Sequence, residues 1–410
     1  MHISRLALDH FRSWDHCVLD LKPGVTILQG ANGLGKTNLV EAVEVLSTGG
    51  SHRTSSSLPL VKRGETKATI RANVEREGAG GTVTLEATIS AKGANRARVN
   101  GSASRYLRDI IGQIPSVSFA PDDQRLVSGD PAARRGFLDQ AGALLIAGYA
   151  RRLQDYTKIA RQRAALLKQL GGRQDGADAT QAALAGLEAW TGQFIAMGVA
   201  LTRDRIALTQ RLAGPFARIY AELAGGDTAG MVYEPSFDEV LQQEAPEAQI
   251  SSHFQRIYPG EVARGQNLIG PHRDDVTLLL DGMPAREFAS NGERWTLALA
   301  LRMAQYELES ELYGMRPLVI LDDVFAQLDA NRREQILRFA AQQDQVLITV
   351  ASASDVPDGP VRRHAEVIDV AALVAAQQAW LHPEAGGVAA AGSVAAPTSP
   401  TASTAQAARS

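Results

Sequence analysis

The 410-residue sequence contains one cysteine, Cys17, so no internal disulfide can form and the chain suits a reducing compartment. Cys17 is expected to pack within the first hairpin. As a zinc ligand beside His16 it lacks a further cysteine or histidine at ligand spacing. Nowhere do about 18 apolar residues run together, so no membrane span is expected. The stretch Met1–Phe11 alternates like a strand and lacks the charged-then-apolar layout of a signal peptide, and the expectation is a cytoplasmic protein. Internal repeats are absent. Net charge is only −3, so any nucleic-acid affinity must come from local basic patches.

What remains is an ordinary globular composition, 45% hydrophobic and 21% charged, long enough for two domains or one domain with a large insertion. Strand patterns fill the first part: Val25–Leu28, Lys67–Val74, Thr82–Ser90 and Arg96–Val99, the last closed by the turn pair Asn100-Gly101. Asp130-Pro131 then starts a helix, with a capping residue followed by proline. From there to about Gly225 the chain reads as a helical lobe holding an antiparallel helix pair. The pair turns between Gly171 and Asp178, a kink is expected at Pro215, and Leu153, Leu167 and Leu170 form packing seams. Val276–Leu280 returns to strand, Glu293–Leu312 is helical, and Leu318–Leu321, Val346–Val350 and Glu366–Val370 read as buried strands of a mostly parallel sheet. Beyond Gly386 hardly any charge or large apolar residue remains, which predicts a disordered tail. The expected fold is α/β: a core over 1–128 and 262–375 combining a mixed sheet with an antiparallel β subdomain, a helical lobe inserted over 129–261, and a tail over 386–410.

Gly30-Ala31-Asn32-Gly33-Leu34-Gly35-Lys36-Thr37 fits the phosphate-loop pattern G-x-x-x-x-G-K-[ST] in full. Its glycines let backbone amides cradle phosphate oxygens, and the following helix points its positive end at them. Lys36 would reach the β- and γ-phosphates of ATP, Thr37 would hold Mg²⁺, and Asn38 extends the candidate contact set. The apolar strand before the loop and the helix after it set it apart from an ordinary strand-turn-helix connection. Leu318-Val-Ile-Leu-Asp322-Asp323 answers it, because a buried strand delivers two carboxylates to the sheet edge where α/β folds bind ligands. Asp322 would join the Mg²⁺ shell, and Asp323 would take the proton of the attacking water.

Further segments resemble one family. Phe288-Ala-Ser-Asn-Gly-Glu293 is similar to the signature loop of ABC-type ATPases, in the S-x-G-[EQ] form of their SMC and RecF branch. Asp322–Asp329 resembles the Walker B strand running into the D-loop, and Leu268–Asp275 a RecF motif. Phe11-Arg-Ser-Trp14, Ser51-His-Arg-Thr54, Pro121–Gly129 and Arg134–Asp139 agree, so the likeness spans about residues 3–370. Arg12 joins the candidate ATP contacts with the first of these. Three departures point to slow hydrolysis, with ATP used as a clamp. The signature has Asn291 and Glu293, the second acid is Asp323 in place of glutamate, and Thr349 stands nearest to where a switch histidine is usual. Gln124 is either a Q-loop residue or a surface-loop residue. His272-Arg-Asp-Asp superficially matches a kinase loop, but no D-F-G or strand lysine accompanies it. Within the resemblance it holds the lobe against the core.

The resemblance implies a homodimer with ATP sandwiched at its interface. Ser290, Asn291, Gly292 and Glu293 would act in trans on nucleotide held by the partner's P-loop, with Asp329 in the D-loop. It also implies a recombination mediator that binds duplex DNA near gapped junctions and works with RecR- and RecO-like partners to load a RecA-type recombinase. Residues 130–173 hold nine Lys or Arg against three Asp. Of these, Arg134, Arg135, Arg151, Arg152, Lys158, Arg161 and Arg163 are the candidate DNA contacts, with Lys168 and Arg173 completing the run. From charge alone, a solvated helix face is the favoured explanation of such a run. A transporter ATPase subunit fits poorly with a helical lobe of roughly 130 residues, and an SMC-like structural protein would need longer arms. A nuclease would need a further acidic metal cluster.

Overall fold

The computed structural model describes residues 1–54, 56–76, 81–172, 177–326 and 328–382, the side chains of 177–184 excepted. The expected tail at 386–410, Arg173, the centre of the helix-pair turn and Gln327 lie outside the described residues. Strands β1 (His2–Phe11) and β2 (Trp14–Asp20) form a hairpin, and β3 (Gly24–Gln29) feeds through the P-loop into α1 (Lys36–Thr48). Strands β4 (Lys67–Glu75), β5 (Thr82–Ser90), β6 (Arg96–Val99) and β7 (Arg105–Tyr106) follow, then β8 (Ser116–Phe119). Six of these make one antiparallel sheet in the order β2-β1-β4-β5-β6-β7. Its alternation is what one dry face requires: Leu85, Ala87 and Ile89 of β5 are buried, as are Ile3, Leu6 and Leu8 of β1. Cys17 packs into the same core, where burial lifts its thiol pKa to about 12 and leaves it unreactive at neutral pH.

After the short helix α2 (Arg125–Ser128), helices α3 (Pro131–Leu145), α4 (Tyr149–Gly172) and α5 (Ala177–Ala224) form most of the lobe. Asp130 occupies the N-cap of α3, yet its side chain makes no cap hydrogen bond. α5 stays helical through Pro215, where a kink is expected. The ion pair Arg152–Asp204 and the bond Arg163–Thr191 fix α4 and α5 in antiparallel register. Strand β9 (Ala229–Glu234) then precedes α6 (Glu247–Arg264), β10 (Asp275–Leu280), β11 (Met283–Pro284), α7 (Ala285–Phe288) and α8 (Asn291–Tyr313). β9 pairs antiparallel with β10, so this small sheet crosses the expected boundary at 261.

The chain closes with β12 (Leu318–Asp322), α9 (Ala330–Ala340), β13 (Gln345–Val350), α10 (Pro360–His364), β14 (Glu366–Asp369) and α11 (Val370–Leu381). A third sheet, parallel throughout, runs β14-β3-β13-β12-β8. The mixture of strand directions therefore lies between separate sheets, two antiparallel and one parallel, and not within one. Every residue of β12 and β13 is buried, because apolar clusters cover both faces of this sheet. The geometry carries the chain ends of β3 and β12 to one edge, with β13 between them.

Glu309 of α8 is fully buried, accepts one hydrogen bond from Gln305 Nε2 at 2.7 Å, and leaves its second oxygen without a partner. Burial raises its pKa from 4.5 to about 8. The folded state thus binds this proton more tightly than the unfolded chain. The resulting stability is present below pH 4.5 and is lost as pH rises through 8. Glu309→Gln is expected to flatten the fall in Tm between pH 5 and pH 8, with an upper bound on the order of 4 kcal/mol. Calorimetry at three pH values checks it. An unchanged slope would place the proton elsewhere.

Candidate nucleotide site

The loop after β3 turns on glycines. Gly33 and Gly35 have φ of +89° and +94°, the left-handed region. A Cβ on Gly35 would lie 2.7 Å from Ser13 Oγ and 3.0 Å from Trp14 Nε1. Trp14 Nε1 also donates to Gly35 O at 3.2 Å, so the β1–β2 corner braces the loop from below. Ala31, Asn32 and Gly33 are exposed at the rim, while Leu34 packs beside Gly30. Lys36 is buried, and its ammonium donates to Gly30 O at 2.6 Å, Ala31 O at 3.0 Å and Asn32 Oδ1 at 3.4 Å.

Thr37 Oγ1 donates to Asp322 Oδ1 at 3.0 Å, joining loop and Walker B strand across 285 residues of sequence. Thr349 of β13 sits in register between Leu28 and Asp322 and donates to the same carboxylate oxygen at 2.5 Å. Burial raises the Asp322 pKa, with the hydrogen bonds from Thr349 and Thr37 pulling the other way. Asp323 adopts φ +54°, and its N–H donates to Thr349 Oγ1 at 3.0 Å. The left-handed turn swings its half-buried side chain off the strand line. Thr349, met in sequence only as the absence of a histidine, is the residue that positions both acids.

Arg12 is engaged elsewhere in this geometry. Its guanidinium forks onto Glu41 of α1 and donates to Pro59 O at 2.9 Å. Asn38 donates to Ser13 Oγ at 2.9 Å and accepts from Arg53 at 3.0 Å. The Ser51–Thr54 segment clips onto α1 through two buried carboxylates. Arg53 and Ser51 reach Glu41, and His52 Nδ1 lies 2.7 Å from Glu44 Oε2. Burial alone would lower the His52 pKa, but Glu44 holds it above the usual value. Neither Glu41 nor Glu44 stands out in sequence, because inward acids on an apolar helix carry no motif.

The signature turn caps α8. Ser290 Oγ accepts from Glu293 N at 3.3 Å, and Glu293 Oε2 accepts from Ser290 N at 2.6 Å, a reciprocal capping box. The hydrogen bond from Ser290 lowers the Glu293 pKa. Ser290 and Asn291 are exposed, Gly292 half-buried. Asp329 caps α9 by accepting from Arg332 N at 3.0 Å. Among the described residues no hydrogen bond joins this turn to the P-loop. Gln124 lies half-buried on the turn after β8. His272 joins the lobe's aromatic cluster, its Nδ1 2.7 Å from Tyr156 Oη.

Burial corrects part of the basic run. Arg134 is buried and forks onto Asp275 at 2.6 and 2.9 Å. Arg163 is buried against Glu261 and Asn267. Neither can reach a phosphate in this fold. Arg135 donates to Asp274 O at 2.7 Å, and Arg152 pairs with Asp204 at 2.5 Å. Arg151, Lys158 and Arg161 remain exposed, and their spacing gathers them on one side of α4.

A P-loop answered by an acidic strand end across a parallel sheet, with an S-x-G-E turn capping the next helix, defines an ATPase domain of the ABC type. The family model described as RecF/RecN/SMC N terminal domain matches residues 2–361. The chain belongs to the RecF/RecN/SMC family. Curated relatives named DNA replication and repair protein RecF include one from Bifidobacterium adolescentis, 68% identical over 92% of this chain and 93% of its own length. Another, from Frankia alni, is 42% identical over 87% and 95%. A solved structure of the recombination mediator protein RecF-ATPrS in the RecFOR pathway superposes with a TM-score of 0.77 at 27% identity, covering 90% of this chain and 96% of that one. Its RecF-ATP counterpart gives 0.75 at 26% identity, over 87% and 93%.

Proposed function

We propose that the chain is an ATP-gated recombination mediator of DNA repair acting in the cytoplasm. ATP bound at Gly30–Thr37 of one protomer is closed over by Ser290, Asn291, Gly292 and Glu293 of a second copy. The closed homodimer holds duplex DNA near single-strand gaps, and RecR- and RecO-like partners join it in loading a RecA-type recombinase. The names carried by the relatives support the repair role, and the RecFOR wording of the solved neighbours supports the partners. The observation that carries the clamp reading is the division of the site. Lys36, Thr37 and Asp322 are drawn together within the chain, while the signature turn is exposed and unbonded to that loop among the described residues.

Thr37 Oγ1 and Asp322 Oδ1 are the hard oxygen donors that suit Mg²⁺ completed by phosphate and water. Mg²⁺ would neutralise charge on the phosphates. Lys36 balances the β- and γ-phosphates, and Asp323 accepts the proton of water. One methylene shorter than glutamate, it does so poorly, and hydrolysis is slow enough to time opening.

Arg151, Lys158 and Arg161 make the phosphate-facing stripe. Light scattering and salt-titrated duplex binding test the proposal together. ATP is expected to convert monomer to dimer, Asp323→Asn to prolong the dimer, and Ser290→Arg to prevent it. The three stripe cations of each chain, six in the dimer, give a log–log salt slope of about −5 for the ATP-bound dimer. A wild-type chain that stays monomeric with ATP, or binds duplex equally without it, would sink the clamp.

A further inference from the structure

Arg332 stands on the first turn of α9, and its guanidinium lies across the signature. A Cβ built on Gly292 would meet Arg332 Nη2 at 2.8 Å and Cζ at 3.3 Å. Nε donates to Thr296 Oγ1, one turn into α8, at 3.2 Å, and Thr296 in turn donates to Gly292 O at 3.2 Å. The other end of the guanidinium pairs with the D-loop residue Asp329, which also caps α9 by accepting Arg332 N at 3.0 Å. One side chain therefore ties three things: the signature glycine, the first turn of the signature helix, and the D-loop acid.

The surroundings give this tie a purpose. Between α8 and the D-loop turn, Trp295, Leu299, Val324, Leu328 and Ile336 pack into one buried apolar cluster, with Arg332 beside it. The signature residues Ser290–Glu293 lie outside that cluster, so apolar contact does not hold them against α9. A cation at the N-terminus of α8 also opposes the helix dipole. Asp329 and Glu293 offset it here, and an incoming phosphate would offset it further. The side chain is only 24% exposed, with its planar fork pre-organised by two bonded neighbours.

We propose that Arg332 is a positioning residue that locks the signature turn and the D-loop of one chain into a single rigid unit, presented in trans to the ATP held by a second copy. The inference rests on the homodimer reading above and goes beyond it, by assigning the residue that makes the two elements act together. A side chain at Gly292 would displace the end of the Arg332 guanidinium from this position.

Heterodimers of differently tagged chains test the proposal. Pairing a Lys36→Ala chain with an Arg332→Met chain leaves one composite site intact if Arg332 acts in trans. Pairing a chain carrying both substitutions with a wild-type chain leaves none. The first pair is expected to keep about half the ATP turnover of wild type and to form a stable ATP-bound dimer, the second to lose about tenfold in both. Arg332→Lys keeps the charge but not the fork, and is expected to match Arg332→Met. Thr296→Val removes the Nε acceptor and should weaken dimerisation in the same direction, which keeps the proposal testable if Arg332→Met folds poorly. ATP affinity of the monomer should stay within threefold in each Arg332 and Thr296 variant, a result that mere loss of folding would not give. Activity retained by the second pair and lost by the first, equal activity of both, or full rescue by lysine overturns the assignment alone. A wild-type chain that never dimerises overturns the homodimer reading and this inference with it.

Discussion

Lys36→Ala is expected to lower ATP affinity by roughly 100-fold or more and to abolish every ATP-dependent change in assembly. The ammonium is buried at the centre of the loop, held by two backbone carbonyls and Asn32. Those acceptors aim its three N–H donors at the inside of the loop, where phosphate oxygens would replace some of them. Two charge-assisted hydrogen bonds to phosphate, each contributing about 1.5–3 kcal/mol, set the size of the loss. Alanine also leaves the phosphate charge facing a loop without its cation. Calorimetric titration with Mg-ATP measures the affinity directly. In thermal unfolding, wild type should gain Tm with saturating ATP, and the variant should gain none. Affinity within threefold of wild type would remove Lys36 from the site.

Local pattern makes that loop legible, since G-x-x-x-x-G-K-T encodes its geometry within eight neighbouring residues. The same holds for β5, whose alternation marks Thr82–Ser90 and whose strand covers those residues. Pairing across long separations is not legible. Arg134 and Arg163 look in sequence like any member of a basic run. Their acids, Asp275 and Glu261, stand 141 and 98 residues away, and only the fold brings them in. Strand β9 has no sequence signature because six residues show little period until β10 supplies the partner. Arg332 carries no motif, and its role depends on a close approach to Gly292 that no spacing rule foretells. The exposed cations Arg151, Lys158 and Arg161 are legible as a charge run, but only burial separates them from their spent neighbours.

Glu261→Ala is expected to cost about 3–5 kcal/mol of lobe stability, the loss typical of leaving a buried charge without its partner. Arg163 and Glu261 side chains are 2% and 0% exposed. The guanidinium donates to both Glu261 oxygens at 2.9 and 2.6 Å, to Asn267 Oδ1 at 2.8 Å and to Thr191 Oγ1 at 2.9 Å. It also stacks 4.5 Å from the Phe254 ring centroid, within the aromatic cluster that joins α4, α5 and α6. Alanine strands that cation among aromatic rings, where water cannot replace the carboxylate. Replacing both partners, Arg163→Met with Glu261→Leu, should recover most of the loss, because no unpaired charge remains. Urea unfolding of the single and double variants measures the difference. The same variants separate structure from DNA binding. Arg163→Met alone should destabilise the lobe and yet leave the salt slope of duplex binding unchanged below its melting temperature. Lys158→Ala should instead reduce that slope by about 1 for each phosphate the lysine no longer neutralises, with little change in Tm. A reduced slope in Arg163→Met at native temperature would return this arginine to the proposed DNA contacts.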